Sequence, residues 1–129
     1  MVISPVAALE IFTNPTDLEI IIKQDDDGYG FAITRGPGRD HKVIIDTCGF
    51  VETQDLAIEE VEKKLNSICR TMQLELADPE SFISRYFNPD KEKLKQEEFL
   101  NQDMINRIIF ELKQNGAVST CRMLAPSEG

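Results

Sequence analysis

LEIIIKQDDDGYGFAIT, Leu18 to Thr34, is the stretch on which the fold turns. Apolar residues that alternate with a period of two mark a strand with one buried face. In the first run Leu18, Ile20 and Ile22 fall on one face, and Glu19, Ile21 and Lys23 fall on the other. The first strand is expected over Leu18–Lys23. Asp25-Asp26-Asp27-Gly28 is turn chemistry, because Asp and Gly tolerate the backbone conformations of a tight reversal. Tyr29, Phe31 and Ile33 then alternate with Gly30, Ala32 and Thr34. This second strand has one large apolar face and one small face, which is expected to be closely packed or to lie near solvent.

Downstream, Arg35-Gly36-Pro37-Gly38-Arg39-Asp40 is rich in chain breakers and reads as a loop. Val43, Ile44 and Ile45 make a third strand running to about Cys48, with Gly49 at a bulge or at its end. Short connections favour a meander. Thr53 is placed to cap a helix running to about Glu75. Its apolar stripe is Ile58, Val61, Leu65, Ile68 and Met72, widened by Ala57, Cys69 and Leu76. Glu59 with Lys63, and Glu60 with Lys64, are favourable pairs on its outer face. A helix with such a stripe needs a sheet to cover, and residues 18–48 supply one.

The flanks are read in the same way. Ser4-Pro5 opens a short helix, Pro5 to about Phe12, which Asn14-Pro15 ends. Asp78-Pro79 opens a second helix carrying Phe82, Ile83, Tyr86 and Phe87. Residues 90–98 are highly charged around Leu94 and read as a solvated helical turn or a linker. Asn101 caps a last helix containing Met104, Ile105, Ile108, Ile109 and Leu112, with Gly116 just past its end. Val118–Leu124 follows as a closing strand at the sheet edge. The expected fold is one α+β domain over residues 1–129. An antiparallel three- to four-stranded meander is covered on one face by a long amphipathic helix, with additional C-terminal helices and a closing edge strand.

Composition narrows the function classes. The chain has 129 residues, 41% of them apolar and 29% charged, a balance that supports a packed core. No apolar run approaches the ~18 residues of a membrane span. Residues 1–12 lack a basic start and are interrupted by Glu10, so no signal peptide is expected, and a cytoplasmic location is. The three cysteines, Cys48, Cys69 and Cys121, are too few and too far apart for a disulfide framework or a metal knuckle. The net charge of −9 disfavours broad nucleic-acid binding.

The charge is unevenly spread. Residues 10–27 carry six carboxylates against Lys23, whereas residues 35–42 carry Arg35, Arg39 and Lys42 against Asp40. The basic stretch Arg35, Gly36, Gly38, Arg39, His41, Lys42 is the first candidate ligand site. Glycines admit a ligand close to the backbone, and arginines offer forked donors to phosphate or carboxylate. It is not a phosphate-binding P-loop, since no G-x-x-x-x-G-K-[ST] is present. His41 is the lone histidine and the natural acid or base, with Asp46, Cys48 or Tyr29 as its nearest possible helpers. No complete set of nucleophile, base and orienting group is legible, and no cofactor is expected. Asp25–Asp27 offers carboxylates to a cation but lacks the twelve-residue calcium-loop pattern, so a hairpin turn is its simpler reading.

The GYGFAIT strand and the helix entered through GFVETQDLAIEEVEKKL resemble the layout of HicB-like antitoxin domains. The resemblance covers residues 18–75, under half of the chain. Arg-Gly-Pro-Gly-Arg stands where that family carries a Pro-Gly-Cys element. It implies neutralisation of a basic partner. The leading functional expectation is a non-enzymatic protein-binding or regulatory module. It would act on a protein partner or on a second copy paired through the closing strand. A small enzyme using His41 is the alternative.

Overall fold

The first two strands pair as the alternation requires. In the computed structural model, which describes residues 5–35, 42–47, 51–81, 84–85 and 99–120, β1 (Leu18–Asp25) and β2 (Gly28–Arg35) run antiparallel from Leu18↔Arg35 to Asp25↔Gly28. The strands extend beyond the apolar run because the turn is as short as a hairpin allows, with only Asp26 and Asp27 between them. Asp25 Oδ1 accepts the Asp27 N–H at 2.8 Å, and Gly28 takes a φ of 129°. That conformation is strongly unfavourable for a residue with a Cβ.

β3 (Lys42–Asp46) pairs antiparallel with β2, completing the meander. It ends before Cys48. Thr47 no longer belongs to the strand, but its N–H and its hydroxyl both reach the Phe31 carbonyl, at 2.9 and 3.0 Å. The Phe31 N–H in turn donates to the Thr47 hydroxyl at 2.8 Å. A bulge falls between Ile33 and Thr34, which face Ile45 and Val43, so Ile44 is the extra residue. A bulge re-aims the residues around it, and Ile44 packs against the core next to buried Ile45.

The helices begin and end where their caps dictate. α1 spans Pro5–Thr13, one residue longer than expected. α2 spans Gln54–Ala77, with the Thr53 hydroxyl accepting the Leu56 N–H at 3.1 Å. Its buried residues include the whole expected stripe. α3 spans Gln102–Asn115, with the Asn101 side chain accepting the Met104 N–H at 3.0 Å. Gly116 closes it with a φ of 72°, and its N–H donates to the Leu112 carbonyl at 2.8 Å. α3 runs antiparallel to α2: its start lies beside Cys69, which bonds the Leu100 carbonyl, and its end beside Gln54.

β4 (Ala117–Ser119) adds to the outer side of β1, giving the order β3-β2-β1-β4. The closing strand stands at the edge, as expected, but is shorter. Thr120 already has helical backbone. Its buried hydroxyl continues the ladder in place of a peptide, accepting the Leu18 N–H at 2.9 Å and donating to the Leu18 carbonyl at 3.1 Å. Cys121–Leu124 lie outside the described residues, as do Phe82, Ile83, Tyr86, Phe87 and residues 90–98. One apolar cluster joins Leu18, Ile20, Phe31, Ile33 and Ile45 of the sheet to the buried faces of the three described helices. The chain is an α+β fold with a four-stranded antiparallel sheet and helices packed on one face.

Candidate functional site

The expected ligand loop hangs from the end of the β2–β3 ladder. Its first and last members, Arg35 and Lys42, are direct cross-strand partners. Gly36, Gly38, Arg39 and His41 lie outside the described residues. The register puts this basic rim and the Asp25–Gly28 turn at opposite ends of the sheet. The rim is not purely basic, because the Arg35 Nε donates to Asp17 Oδ2 at 3.4 Å, with both side chains about half exposed. Asp17 directly precedes β1 and is carried to Arg35 by the Leu18↔Arg35 pairing.

Of the groups that might assist His41, Asp46 is already engaged. It forms an ion pair with Lys23 on the outer face of the sheet, two strands away. Lys23 stands opposite Gly30 and Asp46 opposite Ala32, so the pair crosses β2 diagonally. Tyr29 sits near the far end of β2, where its N–H donates to the Val51 carbonyl at 2.8 Å. Six residues of strand from Arg35 to Tyr29 span roughly 20 Å. Cys48 lies outside the described residues.

Cys69 is the described cysteine. Its thiol donates to the Leu100 carbonyl at 3.3 Å and accepts from Gln73 Nε2 at 3.5 Å. Burial pushes its pKa up. A nucleophilic cysteine needs the opposite shift.

Two depressions lined by described residues were not expected from the sequence. One, of about 260 Å³, lies between α1, the end of α2 and the entry to α3, lined by Phe12, Gln73, Leu76, Phe99, Leu100 and Asn101. Among the described residues its lining contains no ionisable side chain. Asn101 Oδ1 is spent on the helix cap. Phe12 and Phe99 stack at 5.0 Å in its wall. The other, of about 340 Å³, is an open hollow on the outer face of α3 formed by Asn106, Arg107, Phe110 and Glu111. Phe110 is 61% exposed there. That exposure was legible in principle, since Phe110 falls outside the stripe of Ile105, Ile108, Ile109 and Leu112.

Among the described residues, no group of three His, Cys, Asp or Glu side chains could hold a metal ion. No described helix is long and apolar enough to cross a membrane. Set against known proteins, the chain matches no family model, no characterised sequence and no solved structure.

Proposed function

We propose that this chain is a non-enzymatic protein-binding module that takes an acidic segment of a partner at the hairpin rim of its sheet, around Arg35 and Lys42. The observation that carries the reading is the register. Arg35 and Lys42 occupy directly opposed positions at the base of the loop. Like charges at such positions destabilise a ladder unless negative charge is supplied. Asp17 supplies one carboxylate to Arg35 from within the chain, and a partner's carboxylates would add to it. Arg39 and His41, from the same loop, add to the cationic character in sequence. Elsewhere the chain is strongly acidic, which would repel an acidic partner from every other approach and so orient it on this rim.

The test compares the wild type with an Arg35→Ala/Arg39→Ala variant in affinity capture, followed by reconstitution with the purified partner. The expected result is a partner that the wild type holds and the variant loses, with binding that weakens as salt is raised. Identical recovery by both proteins removes the rim from the reading.

A further inference from the structure

The outer face of α3 presents a feature that the rim does not explain. Around the helix, the residues farthest from the buried Ile105, Ile108, Ile109 and Leu112 are Asp103, Arg107, Phe110 and Gln114. Their spacing of four, three and four residues is that of a helix–helix seam. Phe110 stands in the middle of it, 61% exposed, with Arg107 and Glu111 beside it around the same hollow. Asn106 and Gln102 are tied to each other at 2.9 Å, and Asn115 Nδ2 donates to Glu111 Oε2 at 3.0 Å.

We infer that a second copy of this chain covers this face, with two α3 helices docked antiparallel about a two-fold axis between Arg107 and Phe110. Charge decides the occupant. In that arrangement a residue i stands level with residue 217 − i of the other copy. Phe110 then lies close to its own symmetry mate on one side of the seam. On the other side each Glu111 is within about one residue's rise of the opposite Arg107. The face is thus complementary to itself in charge, as a two-fold contact requires. The two sheet edges are poorer routes to self-association. β4 is three residues long and β3 carries a bulge, both features that oppose strand addition. A 14-residue helix buries less than a standard interface, so the dimer is weak and concentration-dependent. The inference is independent of the rim.

Light scattering or sedimentation over a concentration series tests it, with circular dichroism as a check that each variant is folded. The wild type should climb toward twice the monomer mass. Phe110→Ser should stay monomeric, and a surface change of this kind leaves folding intact. Arg107→Glu and Glu111→Arg should each stay monomeric alone, because each puts like charges at both cross-chain contacts. An equimolar mixture of those two variants should dimerise, because every contact then joins a glutamate to an arginine. An intrachain role for Arg107 and Glu111 would not produce that rescue. A wild type that stays monomeric, a Phe110→Ser protein that still dimerises, or a mixture that stays monomeric overturns the inference.

Discussion

Ile20 and Ile21 are neighbours on the same strand, yet one is fully buried and the other 43% exposed. They stand for the two faces of the sheet. The inner face meets three helices and holds Leu18, Ile20, Phe31, Ile33 and Ile45 in one cluster. The outer face carries Glu19, Ile21, Lys23, Ala32, Thr34 and Asp46, with an ion pair across it. Ala32 and Thr34 are buried there all the same. They are short, and longer side chains stand across from them: Ile21 and Asp46 for Ala32, and Glu19 for Thr34. Cross-strand neighbours thus contribute to the burial of β2's small face. Among the described residues, the inner face packs into a cluster with distant helices, whereas the outer face is flanked by its own cross-strand neighbours.

Three substitutions break this comparison at different points. Ile20→Ala on the inner face should cost the most, about 2–5 kcal/mol, because the cavity it leaves is walled by helices that cannot fully collapse. Denaturant unfolding would measure it. Thr120→Val should come next, at about 1–3 kcal/mol. Its volume is kept, but the Leu18 N–H, now paired with the hydroxyl, is left buried without an acceptor. Hydrogen exchange should show faster opening at Leu18 first. Ile21→Thr on the outer face should change stability by no more than about 0.5 kcal/mol. A loss there as large as that of Ile20→Ala would mean that the two faces are equally covered.

Sequence reading served unequally along the chain. Period-two alternation and Asp-Gly turn chemistry placed β1 and β2 and their tight turn, because both signals are local. The 3–4 stripe and Thr53 placed α2, and Asn101 with Gly116 bracketed α3, because a helix end must satisfy its own orphan backbone groups nearby. The bulge at Ile44 was invisible, since it depends on which residues of β2 stand opposite. Thr47 and Thr120 were invisible for the same reason: a threonine hydroxyl reads as an ordinary strand or loop residue until a peptide 16 or 102 positions away is brought to it. The candidate rim was legible as a basic loop. Its tether to Asp17 was not, because only the Leu18↔Arg35 register brings that carboxylate to Arg35.

By itself the sequence determined the order and type of the described elements, the inner and outer faces of β1 and β2, and the caps of α2 and α3. These follow from interactions within a few residues. Only the tertiary structure decided that β4 joins β1 instead of β3, that Lys23 and Asp46 pair across β2, and that Asp46 is thereby occupied. It also decided that Phe110 is left uncovered by the chain's own core. Each of these depends on which distant segments meet, and that choice is made by the shared apolar cluster, whose gain is non-directional and collective.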